Sequence, residues 1–114
     1  MTYKKLVSKR IVQSQTPTLA FEASVDTIVS KIYVHNPNTT DARVTVYFVD
    51  KSISDEYNST QNQINENTTQ AFDIIIPTSD TAIFGNGITF TSNQCIYIEA
   101  ENDIVIHVFG KTIL

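Results

Sequence analysis

A single cysteine, Cys95, gives the chain no partner for an internal disulfide, and nothing in it resembles a stapled secreted scaffold. Its three glycines, Gly85, Gly87 and Gly110, form no phosphate-cradling loop; Gly85-Asn86-Gly87 reads as a turn. No segment is apolar for long enough to span a bilayer. "MTYKKLVSKRIV" carries basic residues without the apolar run of a signal peptide. Asn38-Thr39-Thr40, Asn58-Ser59-Thr60 and Asn67-Thr68-Thr69 fit the glycosylation pattern, but without an export signal they read as chance matches in a chain rich in Asn and Thr. Two histidines, His35 and His107, and one cysteine without paired spacing do not make a tetrahedral zinc site. Helical periodicity is also missing, and Leu, Ala and Met together number only 10.

What is present is β-branched. Ile and Val total 25 residues and Thr adds 15. Such side chains are stiff at χ1 and suit a pleated strand. The 114 residues read as one domain, 1–114, able to bury roughly two-thirds of its unfolded surface. Apolar alternation and turn residues predict eight strands: Lys4–Val12, Thr18–Ala23, Asp26–Asn36, Ala42–Asp50, Gln70–Ile76, Gly87–Thr91, Gln94–Ala100 and Asp103–Thr112. Asn36-Pro37-Asn38 opens the turn after the third, and Glu101-Asn102 predicts a tight hairpin between the last two.

Successive strand residues point to opposite faces. One face is apolar throughout: Ile32 and Val34, then Val44, Val46 and Phe48, then Phe72, Ile74 and Ile76. It continues through Ile88 and Phe90, Ile96 and Ile98, and finally Ile104, Ile106 and Val108. Two packed sheets would bury such faces, so the expected fold is a single eight-stranded antiparallel β-sandwich, jelly-roll-like.

The other face is richer in aromatics than contact with water requires. Tyr33, Tyr47, Tyr97 and Phe109 point outward on what read as neighbouring strands of one half-sheet, with His35, Val105 and His107; Arg43, Thr45 and Val49 share the outward register. Large side chains with a polar handle are favoured at protein interfaces. The expected contact surface is Tyr33, His35, Arg43, Tyr47, Tyr97, His107 and Phe109, with Lys4 and Lys5 from the basic end.

Charge is asymmetric. Lys4, Lys5, Lys9 and Arg10 give residues 1–11 a charge of +4, and the other four cations face twelve acids. The N-terminal arm, 1–12, is either a docking element for an acidic neighbour, another copy included, or a solvated first strand. Nucleic acid is not an expected partner: the acidic body repels phosphate, and only Tyr3 interleaves the basic residues.

The polar segment 51–70, "KSISDEYNSTQNQINENTTQ", separates two strands and is long for a compact domain. It reads either as a contact loop or as a tolerated surface excursion. Asp55, Glu56, Asn58, Asn65, Glu66 and Asn67 supply oxygens there without the spacing of a known calcium loop, so a solvated loop is the preferred reading. Nucleophilic catalysis would need His35 or His107 beside Cys95, which nothing in the sequence indicates. The expectation is a protein that is not an enzyme, with no cofactor, no metal and no small-molecule substrate.

"TIVSKIYVHNPNTTDARVTVYF", Thr27–Phe48, resembles small β-sandwich proteins among the structural proteins of tailed bacteriophages. Their pattern is an alternating strand ending near Asn, a short Thr/Ala-rich turn and a Val-Thr-Val-aromatic strand, here Ile28–Asn36 and Val44-Thr45-Val46-Tyr47. Gly87-Ile88, Cys95–Ala100 and Ile104–Gly110 are similar to the family's C-terminal part. "AFEASVD" and "FTSNQ" stand where the family often has Pro-Ala-Gly and Ala-Gly-Asp turns. The resemblance implies a virion component, made in the host cytoplasm: a capsid decoration or auxiliary protein, or a neck, tail or fibre component. Its implied partners are other virion proteins, major capsid or neck and tail proteins, and further copies of itself, with no membrane. A carbohydrate or host-surface binding module is the competing expectation, in which exposed tyrosines stack on sugar rings.

Overall fold

The computed structural model describes residues 4–13, 16–51, 68–85 and 87–113. Among them lie nine strands: β1 (Lys4–Ile11), β2 (Thr18–Glu22), β3 (Thr27–His35), β4 (Ala42–Asp50), β5 (Thr68–Ile76), β6 (Thr81–Phe84), β7 (Ile88–Phe90), β8 (Gln94–Ala100) and β9 (Ile104–Thr112). The protein is all-β, with two antiparallel sheets packed together. One has five strands in the order β1-β9-β3-β6, with β7 also pairing β3; the other has four in the order β2-β8-β4-β5.

The expected core face is the interior. Ile32, Val34, Ile106 and Val108 from one sheet meet Val44, Val46, Ile96 and Ile98 from the other, all fully buried. Burying each such side chain contributes about 1.5–3 kcal/mol against leaving it in water. Phenylalanines pack against these residues. Phe72 of β5 stacks on Phe84 of β6 with ring centroids 4.1 Å apart, and Phe48 meets Phe90 edge-on at 5.3 Å.

Consecutive strands mostly change sheets. β3 and β4 lie in different layers, as do β8 and β9, so Glu101-Asn102 is a crossover between sheets and not the expected hairpin. β4 and β5 are consecutive strands that pair directly with each other. The second correction is the strand count, nine instead of eight. Thr81–Phe84 is too short to stand out by alternation, yet it pairs with Ile32–His35 and sends Ala82 and Phe84 toward the core. The strand after the long polar segment also starts earlier than expected, at Thr68. The calcium-like set Asp55, Glu56, Asn58, Asn65, Glu66 and Asn67 lies outside the described residues.

Two β-bulges flank one point of β9. Register shifts between Lys5 and Val7 in β1, and between Val29 and Lys31 in β3, leave Leu6 and Ser30 as extra residues on either side of Phe109-Gly110. A Cβ on Gly110 would lie 2.1 Å from the Ile28 carbonyl oxygen, so only glycine permits this close passage. The result is that Phe109 sits between Lys5 and Lys31 in register.

Candidate interaction surfaces

Strand register assembles the outer face of the five-stranded sheet row by row. Ser8, His107, Tyr33 and Ile83 form one row across β1, β9, β3 and β6. Arg10, Val105, His35 and Thr81 form the next, and Lys5, Phe109 and Lys31 a third. Tyr33 and Phe109 lie tilted with centroids 5.3 Å apart, and the Lys5 ammonium is 5.8 Å from the centre of the Phe109 ring. Ile83 is 58% exposed. Both histidines are tethered across strands: Nδ1 of His107 is 2.9 Å from the Ser8 hydroxyl, and Nδ1 of His35 is 2.9 Å from that of Thr81.

The outer face of the four-stranded sheet is different. Tyr47 of β4 stands opposite Tyr97 of β8, Val49 opposite Cys95, and Thr45 opposite Glu99. Tyr47, Val49 and Cys95 form a second buried cluster with Leu19 and Tyr97 packed against it. Burial pushes the Cys95 thiol up to about 11, reinforced by the Glu22 carboxylate that accepts its hydrogen bond at 3.5 Å. Such a thiol stays protonated at neutral pH and is a poor nucleophile. Lys51 binds Glu22 at 3.0 Å, which lowers the Glu22 pKa and raises its own. The open end of this face holds Arg43 and Asp73 in a two-pronged ion pair at 2.7 and 3.0 Å, next to Ile75, which is 65% exposed. Glu99 stands across Thr45 from Asp73. Burial, then the negative charge of Asp73, raises its pKa.

Sequence parity placed Tyr33, Tyr47, Tyr97 and Phe109 on one half-sheet, and the topology corrects this. Tyr33 and Phe109 belong to the five-stranded sheet and Tyr47 and Tyr97 to the other, so the aromatics form two pairs on opposite outer faces. Tyr33, His35, His107, Phe109 and Lys5 come together on the first face, and Lys4 lies at its β1 edge opposite Gly110. Arg43 joins Tyr47 and Tyr97 on the second. Tyr47 and Val49 face outward as expected, and Cys95 stands opposite Val49, yet all three are buried, because outward direction and exposure to water are separate properties. His35 and His107 lie in one sheet and Cys95 in the other, so the thiol and the imidazoles do not converge.

The sheets also segregate charge, which the pooled totals conceal. The five-stranded sheet contains Lys4, Lys5, Lys9, Arg10, Lys31 and Lys111 and no Asp or Glu on any strand. The strands of the other sheet contain Glu22, Asp50, Asp73 and Glu99 against one cation, Arg43. Reading the residues missed Lys31 and Glu99, although they share parity with Tyr33 and Tyr97. It missed Ile83 because β6 itself gave too short a pattern.

No protein-family model, curated protein or solved structure matches this chain.

Proposed function

We propose that this chain is a structural component of a tailed-bacteriophage virion, a multimeric capsid decoration or auxiliary protein that works by protein–protein assembly. The observation that carries the reading is the outer face of the five-stranded sheet, where Tyr33, Ile83, Val105 and Phe109 spread across three adjacent strands within a cationic surround. An aromatic and apolar area of this kind suits a flat protein partner. The resemblance of Thr27–Phe48 and of the C-terminal strands to phage structural proteins supports the same reading. So does the strand order: we read β1-β9-β3-β6 and β2-β8-β4-β5 as a jelly roll, with β7 a short addition beside β6.

A sugar-binding module is the weaker alternative. It wants aromatics lining a groove beside Asn, Asp or Gln, whereas the rows around Tyr33 and Phe109 supply Lys, Arg, His, Ser, Thr, Ile and Val across a sheet. Quantitative mass spectrometry of purified particles tests the proposal. Copies in proportion to the capsid lattice support decoration, a single ring's worth moves the protein to the neck or tail, and absence from particles overturns the virion reading.

A further inference from the structure

The two outer faces are opposite in charge and each carries an exposed apolar residue. On the cationic face Lys5 and Lys31 flank Phe109, Tyr33 lies beside them and Ile83 stands open. Arg10 is drawn aside by Asp103, and Lys31 makes no ion pair or hydrogen bond among the described residues. On the acidic face Arg43 is taken up by Asp73 and Lys51 by Glu22. Glu99 makes no hydrogen bond or ion pair among the described residues; it is half-buried and stands across Thr45 from Asp73. Each face therefore holds a charged group that a partner of opposite sign would satisfy.

We infer that the cationic face of one copy seats on the acidic face of a second, around Lys31 and Glu99, in a head-to-tail contact that a third copy can repeat. This deepens the assembly reading above and rests on it only in requiring copies to meet. Charge selects the geometry. A two-fold contact of cationic face on cationic face would oppose Lys5, Lys31 and Lys111 to themselves, and one of acidic face on acidic face would oppose Asp73 and Glu99 to themselves. Like charges set against each other at an interface are strongly unfavourable. Placing one face on the other removes both conflicts and covers Ile83 and Ile75. The buried cluster of Tyr47, Val49 and Cys95 restricts the acidic half of the contact to the end of the sheet that carries Arg43, Asp73, Ile75 and Glu99. A heterologous contact of this kind closes into a ring or continues as a stack, and does not stop at a dimer unless the second face is blocked.

Sedimentation velocity over a concentration series at low and high salt tests the inference on the full chain, with a thermal melt for each variant. The wild type is expected to pass beyond dimer, more weakly as salt rises. Lys31→Glu and Glu99→Lys are each expected to weaken association roughly tenfold or more, because both set like charges face to face. An equimolar mixture of the two is expected to recover it, since each junction then joins opposite charges. Glu99→Gln stands in if Glu99→Lys fails to fold, with a smaller loss expected. A wild type that stays monomeric overturns the contact, as does a dimer that never grows, or association indifferent to Glu99. So does a monomer whose cationic face instead binds a single-stranded oligonucleotide in a Lys31-dependent way. Particle content is scored separately: abundance in particles without self-association defeats the head-to-tail contact alone, and self-association without particles defeats the virion reading alone.

Discussion

The side-chain amide of Asn36, at the end of β3, donates to the carbonyl of Ile76, the last residue of β5, at 2.9 Å, and so ties one sheet to the other. Asn36 is fully buried, and it also donates to Thr40 O and accepts from the Asn38 backbone N–H. Asn38 passes the connection on to the carbonyl of Asp103 at 2.7 Å, just before β9. Asn36→Leu leaves these buried carbonyls without a donor and is expected to lower stability by roughly 2–4 kcal/mol. Urea denaturation reads this directly. A loss no larger than that of an exposed-site control would show that water replaces the amide.

Core truncation is expected to be costly at Ile32 and Ile98, which face each other's sheets with no exposure. Each →Ala change removes three methyl or methylene carbons from a packed interior and should cost about 2–5 kcal/mol, read as a lower denaturation midpoint with an unchanged slope. Lys31→Ala, on the outer face of the same strand as Ile32, should stay close to wild type.

Glycine substitutions should separate by environment. Gly110→Ala forces its Cβ into the Ile28 carbonyl and should prevent β1, β9 and β3 from closing together, seen as loss of soluble folded protein. Gly87 has φ +82° but nothing within 4 Å of an added Cβ. Its replacement by Ala should cost about 1–2 kcal/mol, the left-handed backbone penalty alone.

The carboxylates predict opposite pH responses. Hydrogen bonding and the positive charge of Arg43 lower the Asp73 pKa, so its contribution is present above about pH 4 and is lost as pH falls through the depressed folded value. Asp73→Asn should therefore destabilise at pH 7 and progressively less as pH falls below about 4. Glu99 is the reverse: its raised pKa means the folded state takes up the proton first, so this group gains stability as pH falls. In the dissociated chain, at low concentration and high salt, Glu99→Gln should raise the melting temperature at pH 7. A fall under those conditions would mean that the carboxylate has a cationic partner within its own chain.

Thiol chemistry gives a further check. Cys95 is fully buried with its pKa at about 11, so labelling by a soluble disulfide reagent at pH 7.5 should be slow in the native protein and rapid in urea. Fast native labelling would expose the Tyr47–Val49–Cys95 cluster as open.

Strand positions and the apolar face were legible because alternation is a local property. Ile32 and Val34, or Ile104 and Ile106, announce themselves without reference to the rest of the chain. Sheet membership is not local. Nothing near Tyr47 or Tyr33 tells which layer each strand joins, since that depends on β8 pairing β4 while β9 pairs β3. Bulges add to the difficulty: the extra residues Leu6 and Ser30 alter which residues stand opposite one another while the sequence pattern continues unbroken. The charge division between the faces was hidden for the same reason, because it emerges only after the strands are sorted into two sheets.

That sorting also sets the order in which the chain can be completed. β1 pairs with β9, from Lys4 opposite Gly110 to Ile11 opposite Ile104, and β2 pairs with β8. On the ribosome the basic strand is therefore made long before its partner, and β3 waits for the same partner on its other flank. Neither sheet can close until β8 and β9 emerge, so closure rests on contacts between residues far apart in the chain, the kind of pairing that slows folding. In the interval the lysines and arginine of β1 give a nascent strand its own protection, because a row of like charges discourages pairing between chains on neighbouring ribosomes.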